Sequence, residues 1–230
     1  GCINVKNKSI THIFPSCKIY YSRTYVPCKE FIKKWYNLIK RDGDSMCGRF
    51  SLDTDINDLF LRYSIVEKLI DFKPRKEVFP SQICPVVLND RENKIVEMKW
   101  GFKISFSKKL IINARSETVN EKPTFKESFL SRRCIIPATS YYEWEVVDNK
   151  KVKREIGLKG MNIISLAGIY NDGAFTILTT VAHRDIDYIH NRMPVIIPMK
   201  SEAIWLDNEM KDISLLKQML KPVDLEYIVG

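Results

Sequence analysis

The chain has 230 residues, 45% of them hydrophobic, and a formal net charge of +9. Those values fit one domain with an appendage, supply enough apolar residues for a core, and leave no apolar run near the roughly 18 residues that a membrane span needs. Residues 1–46 carry 9 Lys and Arg against 3 Asp and Glu, whereas residues 47–230 carry 28 against 25, so the basicity belongs mostly to the first segment and binding of nucleic acid by the rest must come from local clusters.

Residues 1–46 read as a leader, an upstream region or a mis-assigned extension, polar and basic. Within them Phe31, Ile32, Trp35, Leu38 and Ile39 share one face of a helical stretch. Their first 30 residues lack the apolar stretch of a secretory signal. Arg41-Asp42-Gly43-Asp44-Ser45 then reads as a linker, and residues 47–230 as the domain proper. After Asp53 or Thr54 a short helix is expected, with Ile56, Leu59, Phe60 and Tyr63 inward. Ile83–Leu88 and Lys94–Trp100 read as a hairpin about Asn89–Asn93. Further strands are expected at Leu110–Ile112, Arg133–Ile136, Tyr141–Val147, Lys153–Leu158, Ile163–Tyr170 and Phe175–Thr180, with a turn at Asp148–Lys151. Helices are expected at Asp185–His190, Ser201–Asp207 and Ile213–Leu220. This order predicts an α+β fold, β-rich, with an antiparallel sheet curled toward a barrel and short flanking helices.

Cysteine usage narrows the chemistry. Cys2, Cys17, Cys28, Cys47, Cys84 and Cys134 form no C-x-x-C pair, and no His recurs at metal-ligand spacing. No zinc site or other metal centre is expected, nor any cofactor, and the thiols read as reduced and cytoplasmic. Cys47 stands apart because it follows Met46 directly. If translation starts at Met46, or if the bond before Cys47 is cut, its thiol sits beside a free α-amine, and such a 1,2-aminothiol condenses with an aldehyde and closes a five-membered thiazolidine.

Four segments offer partners for that chemistry. Asn113-Ala114-Arg115-Ser116-Glu117 brings an amide and a guanidinium after an apolar strand. Tyr141-Tyr142-Glu143-Trp144-Glu145 places Glu143 on the strand face opposite Tyr142 and Trp144, where burial would raise its pKa. His190-Asn191-Arg192-Met193-Pro194 presents a His whose ordinary pKa lies near neutrality, two residues from an Arg. Lys99-Trp100-Gly101-Phe102 sets aromatics beside a glycine, as a base-stacking platform does. Each also has a structural reading: Cys47 as a small buried hydrophobe, Glu143 as a lysine partner, His190 as a helix cap, Trp100 and Trp144 as core.

Taken together the segments resemble the SRAP family (SOS-response-associated peptidase, or abasic-site processing proteins). The resemblance runs from Cys47-Gly48-Arg49-Phe50 through Trp100-Gly101, Asn113–Glu117, Arg133-Cys134-Ile135-Ile136-Pro137 and Tyr142-Glu143-Trp144 to His190–Pro194, in that family's order. It implies a compact β-rich domain in which the residue matching Cys47 is N-terminal after maturation and forms a stable crosslink with the ring-opened abasic site of single-stranded DNA. It also implies a catalytic set of Cys47, Asn113, Glu143 and His190, and DNA-binding arginines at Arg49, Arg115 and Arg192. Trp100 and Phe102 are expected to fill the space of the lost base or wedge the strand. The partner implied is single-stranded DNA containing abasic sites, bound by a monomer, in the cytoplasm and on the nucleoid, with no membrane.

Three departures from the family pattern matter. Residues 1–46, left attached, acylate the α-amine and block the reaction, so autoproteolysis or Met removal has to free it. The family usually has an Asn within the segment matching Glu77–Ser81, where only Pro80 fits. Relatives continue beyond the point matching Gly230, so a truncated C-terminus and an exposed sheet edge are expected. The competing readings are a thiol peptidase acting on other proteins and a non-catalytic sensor of damaged single strands.

Overall fold

The computed structural model describes residues 47–230 apart from 67–69, 71 and 105–106; the helical stretch expected at Phe31–Ile39 lies outside the described residues. The described residues form one compact unit.

The first sheet is antiparallel throughout. It contains β1 (Phe50–Leu52), β2 (Arg75–Val78), β9 (Ser140–Val147), β10 (Lys150–Leu158) and β14 (Tyr227–Val229), in the order β14-β10-β9-β1-β2. β9 and β10 form a tight hairpin in which Val147 faces Lys150 and only Asp148 and Asn149 are left to turn, both with positive φ. Asp and Asn tolerate that left-handed region better than other non-glycine residues, which is why the chain reverses there.

The second sheet holds β3 (Ile83–Asp90), β4 (Glu92–Trp100), β7 (Asn113–Arg115), β8 (Arg133–Ala138), β11 (Ile164–Asn171), β12 (Ala174–Val181) and β13 (Arg192–Pro194). Its path runs β11-β8-β3-β4-β12-β13, with β7 beside β12, and an added β11–β12 pairing turns the sheet back on itself like a ring. A separate hairpin joins β5 (Phe102–Ile104) to β6 (Ser107–Ile111). The expected curl is thus present, but in one of two main sheets, and that sheet is mixed: β12 pairs parallel with both β4 and β7. The expected five-residue connection after Leu88 is shorter, since the β3–β4 ladder continues to Asp90 opposite Glu92 and turns at Arg91 alone.

Short helices cover the sheets. α1 (Ile56–Arg62) starts at Asp55, whose carboxylate accepts the Asn57 N–H at 2.8 Å, and it buries Leu59 and Phe60. α2 (Pro123–Ser131), unforeseen in the sequence, has Pro123 in its first turn and buries Phe125 and Phe129, four residues apart on one face. α3 (Glu202–Leu206) and α4 (Ile213–Met219) fall within the expected spans. The helix expected at Asp185–His190 is instead a run of turns: Ile186 N–H bonds to His183 O and Ile189 N–H to Ile186 O, each at 3.0 Å. Ile186 and Ile189 are both buried, and a three-residue spacing serves successive turns as well as a helix.

Arg133, in the motif that begins β8, is fully buried and structural. It donates to the carbonyls of Phe129, Leu130, Trp205, Asp207 and Met210, gathering the C-terminal ends of α2 and α3, where backbone acceptors lack helical partners. Burial lowers its pKa to about 10, which still leaves it charged at neutrality.

Candidate functional site

The pairing of β1 with β9 builds the centre. Phe50 faces Tyr141, and Tyr142 N–H donates to Arg49 O at 2.9 Å, so the chain before β1 runs alongside Glu143. There the Cys47 backbone nitrogen donates to Glu143 Oε1 at 2.6 Å, and both residues are buried. Cys47 has φ of 38°, a left-handed conformation uncommon outside glycine, so strain is held at the residue whose nitrogen meets the carboxylate.

Burial pushes the Glu143 carboxyl up to about 7, against the opposing pull of the Cys47 and Trp144 backbone N–H groups. Burial also pushes the Cys47 thiol well up, and the neighbouring Glu143 charge adds to it. Joined to residue 46, Cys47 is therefore a thiol rather than a thiolate, in a setting opposite to that of an activated nucleophilic cysteine. Tyr141 lies on the same strand face as Glu143, two residues away, and its buried hydroxyl has no hydrogen-bond partner among the described residues. Burial raises its pKa well above the ordinary value, with Cys47, Tyr227 and Glu143 contributing.

Arg49 lies two residues beyond Cys47. Its guanidinium is sandwiched, with its carbon 4.4 Å from the Phe79 ring centre and 5.0 Å from that of Trp144. Its Nη1 donates to Glu77 Oε2 at 2.8 Å. The other Glu77 oxygen accepts from Lys153 Nζ, which sits 4.6 Å from the Tyr142 ring centre.

A second cluster forms around Thr179 of β12. β7 lies on one side of that strand, with Arg115 opposite Thr179, and β13 on the other, with Pro194 opposite Thr179. Asn113 and Arg115 are half-buried on one face of β7 while Ala114 faces the core. Arg192 grips both carboxylate oxygens of Glu117 and donates to Thr179 O at 2.8 Å, leaving its side chain only 11% exposed. Burial pushes the Glu117 carboxyl up, but the hydrogen bond from Arg192, a backbone N–H, and the charges of Arg192 and Arg115 outweigh it and hold the group below its ordinary value. Arg192 N–H lies 3.1 Å from His190 Nδ1, and the same ring nitrogen lies 3.3 Å from Arg192 O, so the ring is held against the Arg192 backbone. Among the described residues no hydrogen bond links His190 to Cys47 or Glu143.

Trp100 connects the clusters from within. It is fully buried beside Phe50, at 5.2 Å between ring centres, and stacked on Phe175, and its Nε1 donates at 2.9 Å to Ile112 O, just before Asn113. Phe102 is likewise buried, 6.3 Å from the Phe125 ring. Trp100 and Phe102, expected as a base-stacking platform, are thus both packed into the core, and Phe102 also borders a pocket. Near Arg49 the more exposed aromatic is Phe79, 38% accessible, with Trp144 half-buried on the other side of the guanidinium. A pocket of about 500 Å³ at Lys99, Gly101–Lys103, Thr124 and Asn171–Ala174 contains none of Cys47, Asn113, Glu143 and His190. Cys47 and Glu143 thus form a buried centre, with the Arg49 guanidinium nearby.

Sequence reasoning passed over Glu77, Glu117, Lys153 and Tyr141. Glu117 was legible as part of its motif but not as the partner of Arg192, 75 residues away. Lys153 stands opposite Trp144 only because of the β9–β10 register.

A profile of the family described as SOS response associated peptidase (SRAP) matches residues 46–229. Abasic site processing protein YoqW of Bacillus subtilis (strain 168) is 36% identical over 202 residues, covering 79% of this chain and 89% of that protein. Abasic site processing protein HMCES of Gallus gallus is 27% identical over 184 residues, covering 59% of this chain and 54% of that protein. A crystal structure of a Bacteroides thetaiotaomicron protein superposes with a TM-score of 0.66 at 26% identity, covering 80% of this chain and 91% of that one. A phage-related protein of Bordetella bronchiseptica, at 22% identity and a TM-score of 0.66, shares the fold.

Proposed function

The chain belongs to the SRAP family, and from that premise we propose that it processes abasic sites in single-stranded DNA through a covalent link formed by Cys47 as a mature N-terminal residue. The observation that carries this reading is the Cys47 nitrogen, 2.6 Å from a buried carboxylate whose pKa stands near neutrality. Once the bond to residue 46 is gone, that nitrogen is an α-amine, with an ordinary pKa of about 7.7–8.0. Glu143 takes a proton from the ammonium, and the amine adds to the aldehyde carbon of the opened sugar. The carbinolamine loses water as Glu143 returns a proton to the departing oxygen, leaving a protonated imine whose N–H proton Glu143 takes back to give the imine. The Cys47 sulfur then adds to the imine carbon, its proton passes to the nitrogen, and the thiazolidine closes with no redox step.

His190 is the side chain suited to protonate the sugar oxygen as the ring opens. Asn113 orients the amine or thiol. Arg49, Arg115 and Arg192 bind flanking phosphates, which position a strand without reading its sequence. The aromatic surface next to that path is Phe79 rather than Trp100 or Phe102. Release of the α-amine falls to Met removal or to attack by the Cys47 sulfur on the residue-46 carbonyl, in which the C–N bond breaks as the thiol proton passes to the nitrogen and water then hydrolyses the thioester, freeing the residue-46 carboxylate and the thiol. The raised thiol pKa weighs against a peptidase acting on other proteins.

Expression from Met46, followed by incubation with a single-stranded oligonucleotide carrying one abasic site, tests the reading. A heat-stable shifted band that disappears in Cys47→Ala and after N-acetylation is the expected result. A band that persists after N-acetylation overturns the role of the amine, and reversible binding without any band supports a damage sensor instead.

A further inference from the structure

We infer that Arg49 and Lys153 form a two-cation phosphate site that Glu77 occupies in the free protein, so that Glu77 restrains affinity for nucleic acid by competing with the backbone phosphate. This rests on the DNA reading above and adds Lys153 and Glu77 to it. The carboxylate itself shows that the site accepts a bridging anion: one oxygen meets Arg49 Nη1 at 2.8 Å and the other meets Lys153 Nζ. A phosphodiester offers the same arrangement, two unesterified oxygens on one centre. Hydrogen bonds from Lys153 and Arg49 hold the Glu77 carboxyl below its usual range, so it remains an anionic competitor throughout the neutral range.

The cations do not depend on Glu77 for their positions. Phe79 and Trp144 sandwich the Arg49 guanidinium, and the Tyr142 ring lies under Lys153 Nζ. The loop carrying Phe79 is pinned by Phe79 N–H to Gln82 Oε1 at 3.0 Å and Ser81 N–H to Trp100 O at 2.8 Å. Removing the carboxylate charge thus leaves two placed, uncompensated cations, and Arg49 Nε, buried and without a partner among the described residues, keeps a further donor in reserve. Glu77 and Lys153 are both partly solvated, and ion pairs of that kind contribute little, so exchanging carboxylate for phosphate costs little. Arg49 is two residues from Cys47, at most about 7 Å along the chain, so this phosphate lies next to the reacting sugar.

The test measures equilibrium binding of an undamaged single-stranded oligonucleotide by fluorescence anisotropy across a salt series, with the full chain, so that residues 1–46 contribute equally to every variant. Glu77→Gln is expected to tighten binding about fivefold to tenfold near 0.1 M salt and to steepen the slope of log K against log salt by about 0.7, the value of one added phosphate contact. Adding Lys153→Met to Glu77→Gln is expected to cancel most of that gain. Unchanged or weaker binding by Glu77→Gln overturns the inference, as does a gain that Lys153→Met leaves intact. Failure of the wild-type chain to bind single strands at all would instead remove the DNA reading beneath it. A missing crosslink together with a normal Glu77→Gln response counts against the thiazolidine chemistry alone.

Discussion

Glu143 shows how one residue carries both chemistry and cost. Its carboxyl ionises near 4.5 when solvated and near 7 in the fold, because burial disfavours the charge. The folded state therefore favours the protonated form. Its stabilising effect is complete below about pH 4.5 and is lost as pH rises through about 7, an interval worth about 3 kcal/mol. Glu143→Gln keeps an acceptor for the Cys47 N–H and carries no charge. It is expected to exceed the wild type in urea-unfolding stability at pH 8 by about 1–3 kcal/mol, with the gap closing toward pH 4.5. A gap that is constant with pH would mean that burial does not set this titration. That Glu143 faces away from Tyr142 and Trp144 was legible in Tyr142-Glu143-Trp144, because a strand alternates. The ionic partners of Arg49 and Arg192 were not legible, because Glu77 and Glu117 reach them through strand register and not through local spacing. The burial of Trp100 was not legible for a related reason: an aromatic beside glycine reads the same whether its ring faces solvent or fills the core.

At the scale of elements, the strands of the long hairpins were legible from alternating patterns and from Asp-Asn turns. The parallel neighbours of β12 were not, since a three-residue strand such as β7 carries no pattern of its own. α2 hid because its buried face rests chiefly on Phe125 and Phe129. Strand packing also explains a residue that sequence reading left unremarked. Gly168 lies on β11 between β8 and β12, and a methyl group there would sit 2.2 Å from Ile136 Cδ1 and 2.9 Å from Cys134 Sγ. Gly168→Ala is expected to destabilise the domain by about 1–3 kcal/mol, because side chains in a close-packed core yield poorly to added volume. Chemical denaturation measures this, and a cost below about 0.5 kcal/mol would show that Ile136 simply changes rotamer.

For the whole molecule the decisive quantity is where charge resides. Residues 47–230 carry only +3, while residues 1–46 carry +6. In the domain Arg49 shares Glu77 with Lys153 and Arg192 is matched by Glu117, so two of the three arginines proposed to meet phosphate already face a carboxylate. Long-range attraction to a polyanion therefore comes largely from the first segment, whereas the proposed chemistry requires that segment to be gone. Affinity and reactivity are thus expected to separate. The full chain should bind undamaged single strands more tightly, with a steeper salt dependence, than the chain starting at Met46. Each phosphate neutralised adds about 0.7 to the slope on single strands, so loss of the basic segment should flatten it by about 2–4. Crosslinking to an abasic site should run the other way, absent while residue 46 is joined to Cys47 and present once it is removed. Paired salt titrations of the two chains measure the first effect, and the gel assay measures the second. Equal slopes would mean that the domain's own arginines carry the whole electrostatic attraction, with the carboxylates displaced at every one of them.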